Sequence, residues 1–184
     1  DPVNGFSAQT LTRDVGCAAP GSIAEIPNAG LAFLGEDAVY VLEGALETEG
    51  GTTKVTHISS PVTNLIRGIN RSALLNSVGC VYHRDNEYWL AVPTIGSDTN
   101  NLVLVFHYEV GAWTYRENYP ISCMLETHDH RGYLMFGSYD TASHPGIYVY
   151  SEGFPDKDGT AIAPRYQSAH LDLSVGLIRS IRPK

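Results

Sequence analysis

The chain has few of the residue types that carry metal, redox or membrane functions. Its 184 residues include three cysteines, Cys17, Cys80 and Cys123, which form no CxxC pair and no even disulfide framework. No apolar run approaches the roughly 20 residues of a membrane-spanning helix. We therefore expect a protein of a reducing compartment, without a zinc finger, a disulfide scaffold or a membrane anchor.

Basic residues are also scarce. Twelve Lys and Arg stand against 20 Asp and Glu, which gives a formal net charge of −8. A nucleic-acid binder needs a basic face that displaces counterions from phosphates, so this class is disfavoured. An acidic surface would allow DNA to slide past without being held, although solubility is the simpler explanation of the charge.

Enzyme motifs are absent as well. There is no GxSxG, GxxxxGK[ST] or GxGxxG segment. Glu126, Asp129 and Asp140 lie on separate predicted loops, with no spacing that pairs two carboxylates as in a glycosidase. We predict that the chain is not an enzyme, and we assign it no catalytic, cofactor-binding or metal-binding residue and no cofactor.

Two segments have a weak similarity to metal sites. His128-Asp129-His130 places two imidazoles on one face of an extended backbone, with His83 or Asp85 nearby in the repeat described below. His128 and His83 each come just before a predicted strand, so hydrated turns are the simpler interpretation. In the segment 153–159, acidic residues occupy alternate positions as they do in a calcium-binding loop. The segment lacks the third ligand and the terminal Glu of such a loop, which predicts a plain turn.

The chain does contain a threefold repeat of apolar segments. Each copy has a single apolar residue, called its apolar point, followed by a first apolar segment and then a second apolar run. The apolar points are Ile23, Cys80 and Leu125, the first segments are 30–34, 87–91 and 132–136, and the second runs are 39–42, 103–106 and 147–150. Three strands in a fixed order, repeated at about 45 residues, are typical of propeller blades. The sequence predicts an all-β, β-propeller-like array of antiparallel four-stranded blades, of which about three are present.

The repeat also predicts the organisation of the chain. We assign blade one and a polar amino-terminal segment to 1–58, an inserted helix and linker to 59–77, blade two to 78–121, blade three to 122–174 and a truncated segment to 175–184. In the insert, Ser59 or Ser60 can cap a helix with Pro61 in its first turn, and apolar residues from Val62 to Ile69 recur at helical spacing. The predicted outer strands are 53–58 in blade one and 166–173 in blade three.

Three blades do not close a propeller, which typically has about 4–8. An open array would leave two apolar sheet faces uncovered, a large patch for a monomer. Either the chain is a fragment of a longer one, or other copies supply the missing blades. We prefer the fragment interpretation.

The segments 16–23, 31–34 and 39–44, together with 88–93, 101–108 and 111–113, resemble a pattern in tail proteins of short-tailed bacteriophages. The family is that of the propeller-bearing nozzle, or head-to-tail stabilisation, proteins. The resemblance covers about residues 10–150, and its motifs belong to the blade architecture rather than to an active site. Chains of this family are usually several hundred residues long, so the present sequence is short for it.

The resemblance implies a virion structural protein of the phage tail that is assembled in the host cytoplasm. Its copies would form a ring, usually of six, below the portal and adaptor proteins. The ring would extend the channel through which genome DNA is ejected, without sequence-specific binding, and would carry tail fibres or spikes.

The alternative function is a carbohydrate-binding or glycan-cleaving β-propeller, in which loop aromatics such as Tyr139 meet a sugar. The segment 109–113 is similar to the aspartate box of sialidase-type propellers, but Glu109 replaces Asp and the spacing to Trp113 is one residue short. We therefore predict that Trp113 is a packing anchor between blades. Trp89 is predicted to be a large buried side chain of the central blade.

Overall fold

The computed structural model describes residues 15–43, 54–128, 132–139 and 146–150, with the backbone of 156–157 and 160–161. Within these ranges the protein is mostly β, with three antiparallel sheets of three or four strands and one short α-helix. These three sheets belong to a compact unit that reaches Ser151. The predicted outer strand at 166–173 and the 175–184 segment lie outside the described residues, as does the predicted 153–159 turn apart from the backbone of 156–157.

The first sheet is a four-stranded meander in chain order. Its strands are β1 (Ala19–Ile26), β2 (Gly30–Leu34), β3 (Val39–Glu43) and β4 (Lys54–His57). The β1–β2 turn requires glycine, because Gly30 has a φ of 121° and a Cβ there would lie 2.1 Å from the carbonyl oxygen of Leu42. The sequence predicts these strands at 22–26, 31–34, 39–42 and 53–58, and each agrees with the structure to within three residues at both ends.

The second sheet repeats this meander. Its strands are β5 (Val78–Tyr82), β6 (Glu87–Val92), β7 (Leu102–His107) and β8 (Ala112–Glu117), again paired in chain order. The β5–β6 connection turns at Asn86, whose φ of 57° is in the left-handed region that asparagine tolerates better than most residues. The sequence predicts strands at 78–82 and 87–92, and β5 and β6 have these bounds.

The third sheet has three described strands, β9 (Ile121–Glu126), β10 (Leu134–Ser138) and β11 (Ile147–Val149), in the order β11-β10-β9. All three overlap the predicted strands. A separate unit, Glu152–Lys184, contains a short ladder between β12 (Asp156–Lys157) and β13 (Thr160–Ala161).

The insert between the first two sheets is helical, but in short pieces. A 3₁₀ turn at Ser60–Val62 leads into α1 (Thr63–Arg67), and a second 3₁₀ segment covers Arg71–Asn76. The helix is shorter than predicted, since Gly68 follows it directly. Ser59 occupies the position before the first turn but makes no cap; its Oγ accepts a hydrogen bond from the backbone N–H of Val39 at 2.9 Å. No helix in the described ranges is long and apolar enough to cross a membrane.

The central strands of the second sheet, β6 and β7, are buried on both faces, whereas the outer strand β8 is mostly exposed. Along β6, Tyr88, Leu90 and Val92 pack in a core cluster shared with the first sheet and with Ile66 and Ile69 of the insert. The alternate residues Trp89 and Ala91 pack in a second cluster shared with the third sheet. All six residues of β6 are therefore buried, and the first and third sheets lie on opposite faces of the second.

In the second sheet, the face on which Trp89 lies is called the front face. The equivalent face of the first and third sheets has the same name. Residues paired across strands form equivalent front rows: Ala24, Ala32, Val41 and Thr56 in the first sheet, Cys80, Trp89, Val105 and Thr114 in the second, and Leu125, Met135 and Val149 in the third. The opposite face is the back face. Ile23, which the sequence aligned with Cys80 and Leu125, lies one residue away from this row.

Candidate functional site: the junctions between the sheets

The first strands of successive sheets contact one another, β1 with β5 and β5 with β9. The β1–β5 approach is close, because a Cβ on Gly79 would lie 2.6 Å from the carbonyl oxygen of Ser22. The Tyr88 hydroxyl donates a hydrogen bond to the same oxygen at 2.7 Å. Full burial raises the pKa of Tyr88 above its ordinary value of 10.0. The first and second sheets are thus joined by backbone contact and by a buried phenol.

Ser22 organises the β1 side of this junction. Its Oγ donates to the carbonyl of Ala19 at 2.6 Å and accepts the N–H of Leu34 at 2.8 Å. These two bonds satisfy the hydroxyl where the β1–β2 ladder is irregular, between Ala19 and Ala24. A buried serine here has a structural role, because its donor and acceptor are both used by the backbone.

The second and third sheets are joined at one end by contacts between Glu126 and His83. The Glu126 carboxylate, on β9, accepts the backbone N–H of His83 at 3.0 Å and pairs with the His83 Nδ1. Burial, with the Glu126 charge nearby, raises the pKa of the Cys80 thiol to about 11. Cys80 is therefore a packed side chain rather than a reactive one.

A polar cluster lies deeper in the same junction, around Trp89. The Trp89 indole N–H donates to a carboxylate oxygen of Glu87 at 2.6 Å, and the other oxygen of Glu87 lies 3.2 Å from His107 Nδ1. The Arg116 guanidinium stacks on the Trp89 ring at 4.8 Å and donates to the Tyr150 hydroxyl at 2.9 Å. Glu87 is 7% exposed, so its carboxyl oxygens are in contact with groups of the protein rather than with bulk water.

Asparagine amides join the elements at the other end of the sheets. The Asn100 side chain is fully buried and donates to the carbonyls of Asn76 and Ile121, at 2.7 and 2.9 Å. It thereby connects the insert, the start of β7 and the start of β9. Asn70 donates to the carbonyl of Ser97 at 2.9 Å in the neighbouring loop.

The residues that the sequence singled out for chemistry do not converge. His83 and Glu126 meet each other, but His128 is exposed, and Asp129, His130 and Asp140 lie outside the described residues. Within the described ranges, no three His, Cys, Asp or Glu side chains are placed to hold a metal ion. Tyr139, the loop aromatic of the carbohydrate alternative, is 36% exposed.

Trp113 packs between the first and second sheets, as the sequence predicts for a packing anchor. Its indole N–H donates to the carbonyl of Ile58, at the end of the first sheet, at 2.9 Å. Its ring lies 4.9 Å from that of Phe106, and both contribute to the cluster between the first two sheets. Trp89 is fully buried, as predicted.

An open depression of about 420 Å³ adjoins the start of β1. It is lined by Val15, Gly16, Cys17, Ala18, Glu36 and Asp37. The Asp37 carboxylate accepts the Tyr40 hydroxyl at 2.8 Å, which uses one of its oxygens. The lining includes one exposed thiol, Cys17, and two acids, Glu36 and Asp37.

Sequence reasoning missed Glu87, His107, Arg116 and Asn100 as contributors to the junctions. Glu87 and His107 are direct cross-strand partners, so a correct pairing of β6 with β7 would have placed them together. The contacts of Arg116 with Tyr150 and of Asn100 with Ile121 join separate sheets, and no spacing along the chain encodes them.

No protein-family model and no curated protein sequence matches the chain.

Proposed function

We propose that the three sheets are consecutive blades of a β-propeller and that the protein is a virion structural component of a short-tailed phage tail. In this role it forms part of the nozzle or head-to-tail connector, through which DNA is ejected and to which fibres or spikes attach. Its partners are further copies in a ring, the portal and adaptor proteins, and the passing DNA.

The observation that carries the proposal is the burial of β6 and β7, the central strands of the second sheet, on both faces. Blades of a propeller pack face to face around an axis, with their first strands innermost. Here every residue of β6 is buried between two sheets, and β1, β5 and β9 are adjacent. The phage assignment rests in addition on the sequence resemblance over residues 10–150.

The chemistry of the junctions agrees with a scaffold. The buried Glu87, Ser22 and Asn100 side chains and the half-buried Arg116 side chain each contact another strand or sheet. Such contacts favour one arrangement of the sheets over others. The net charge of −8 suits a wall past which DNA moves without adhering.

Immunogold labelling tests the phage assignment. Antibody raised against this chain is applied to purified short-tailed particles from the source of the sequence, with fibre-directed antibody as a positional control. We expect label at the head-to-tail junction. A particle whose proteins, by peptide mass spectrometry, lack this chain would refute the assignment.

The carbohydrate alternative is tested with the purified chain. Glycan-array binding of the wild type is compared with that of Tyr139→Ala, with His128→Ala as an exposed control. Our proposal predicts no saturable binding. Saturable binding that is lost on replacing Tyr139 would favour the alternative instead.

A further inference from the structure

Two fully buried side-chain oxygens lie where the insert, the second sheet and the third sheet meet. Ser77 directly precedes β5, Asn100 lies two residues before β7, and both residues are 0% exposed. Within the described part of the chain, neither Ser77 Oγ nor Asn100 Oδ1 has a hydrogen-bond partner. Most buried side-chain polar atoms are bonded to another protein group or to ordered water. These two oxygens therefore indicate a binding position at the junction.

The orientation of the Asn100 amide is fixed by its nitrogen. Nδ2 donates one hydrogen to the carbonyl of Asn76 at 2.7 Å and the other to the carbonyl of Ile121 at 2.9 Å. A flipped amide would turn its oxygen toward these two acceptors and leave both of them without a donor. Asn100 Oδ1 is therefore an acceptor that still needs a donor.

Ser77 lies beside the same contact. The Asn76 carbonyl that accepts the Asn100 amide belongs to the peptide bond between Asn76 and Ser77. The Ser77 N–H donates to the carbonyl of Leu74 at 3.0 Å, and a Cβ on Gly21 would lie 2.9 Å from the Ser77 carbonyl oxygen. The Ser77 backbone is thus held between the insert and β1, while its hydroxyl can still donate one hydrogen bond and accept others.

The polar groups at this position select a small, neutral ligand that can donate. Calcium and magnesium ions prefer sets of oxygens that include carboxylates, and the contacts described for Ser77 and Asn100 include no carboxylate. A charged ligand without a charged partner would be costly to bury. A water molecule has two donors, and buried waters typically make about 3 hydrogen bonds to polar groups that are otherwise unsatisfied.

We propose that one buried water molecule bridges Asn100 Oδ1 and Ser77 Oγ. The water donates one hydrogen to Asn100 Oδ1 and accepts the Ser77 hydroxyl. Its second hydrogen goes to the carbonyl of Asn76, which has a second lone pair. The water is then part of the fold, because it completes the hydrogen bonds that join the insert to the starts of β7 and β9. The inference rests neither on the blade arrangement nor on the phage assignment.

A crystal structure of the wild-type chain, at a resolution that shows ordered water, is the direct test. We expect one isolated peak within about 3.2 Å of both Asn100 Oδ1 and Ser77 Oγ. A direct hydrogen bond between these two oxygens, or a junction without such a peak, would overturn the inference. A peak with six or more oxygen neighbours at about 2.3–2.6 Å would overturn it as well, since that is the coordination of a calcium ion.

A double-mutant cycle tests the bridge in solution. The urea midpoints of Ser77→Ala, Asn100→Ala and the double variant are compared with that of the wild type. Because the water needs both partners, the double variant should lose less than the sum of the two single losses, and additive losses would contradict the bridge. Ser59→Ala is the matched control: Ser59 is 1% exposed and its Oγ is bonded to Val39 of the first sheet, so its loss should add to that of Asn100→Ala.

Asn100→Ala also loses two hydrogen bonds to carbonyls, so circular dichroism must establish that it is folded. If it is not, Ser77→Ala decides the solution test alone. Its urea midpoint should lie below that of the wild type, because the water loses one of its partners. A midpoint equal to or above that of the wild type would mean that the hydroxyl has no partner, and would overturn the inference.

Discussion

Replacing Trp89 is the most direct test of how the sheets are held together. The side chain is 0% exposed, its ring contacts that of Tyr150 at 4.9 Å and the Arg116 guanidinium at 4.8 Å, and its N–H binds Glu87. Trp89→Ala removes the ring and should cost about 3–5 kcal/mol. The loss of a donor to the buried Glu87 carboxylate moves the cost toward the upper end of that range.

The loss in free energy of unfolding on replacing Trp89 with Ala should divide between lost packing and a lost hydrogen bond. Trp89→Phe keeps most of the ring but removes the donor, so we expect about 1–3 kcal/mol for this variant. His128→Ala, at an exposed position, should stay within about 0.5 kcal/mol of the wild type. The assay is urea unfolding followed by far-ultraviolet circular dichroism, with the free energy of unfolding extrapolated to water.

Two results would refute this reasoning. A Trp89→Ala variant within about 1 kcal/mol of the wild type would mean that the second and third sheets do not depend on this contact. A His128→Ala variant that loses stability or assembly while Trp89→Ala is silent would locate the important chemistry in the turn after β9 instead.

Three further predictions concern β5 and β6. Gly79→Ala should destabilise by about 1–3 kcal/mol in urea unfolding, because its Cβ would lie 2.6 Å from a backbone oxygen, whereas Gly16→Ala, with nothing within 4 Å, should be neutral. The pKa of Tyr88 is raised in the folded protein, so just above pH 10.0 the phenol ionises in the unfolded state only. The free energy of unfolding should therefore keep the Tyr88 contribution below that pH and lose it above. In Tyr88→Phe the free energy of unfolding should fall less steeply with pH, and parallel pH profiles of the two proteins would contradict this. Cys80, with its pKa raised to about 11, should be alkylated at pH 8 at least about tenfold more slowly than exposed Cys17, as peptide mass spectrometry can measure.

The strands were predictable where local signals agree. Around β5 and β6, an apolar run, the turn at Asn86 and a second apolar run give the same bounds in sequence and structure. The insert was less predictable: Val62 to Ile69 have helical spacing, but Gly68 ends α1 after five residues and a second 3₁₀ segment follows. Hydrophobic period identifies an element more reliably than its ends.

The register of the repeat was harder to read. Ile23 aligns with Cys80 by spacing, but the β1–β2 ladder is irregular between Ala19 and Ala24, and Ile23 is 48% exposed. A shift of one residue moves a side chain to the opposite face of a strand, so spacing alone could not assign it. The junction pairs were beyond sequence reasoning for a related reason: His83 and Glu126 are separated by 43 positions, and their meeting depends on how two sheets pack.

The two connections between sheets differ greatly in length. Residues 118–120 suffice to lead from β8 to β9, whereas residues 58–77 lead from β4 to β5. The longer segment is therefore not needed to span the distance, and its inner side packs in the core with Ile66 and Ile69. Its outer side carries Leu75, 74% exposed, between Leu74, which packs in the core, and Asn76, whose carbonyl accepts the Asn100 amide. For protein engineering, a fluorescent label at Leu75 should therefore replace the side chain alone, because added chain at this point would displace the two contacts beside it.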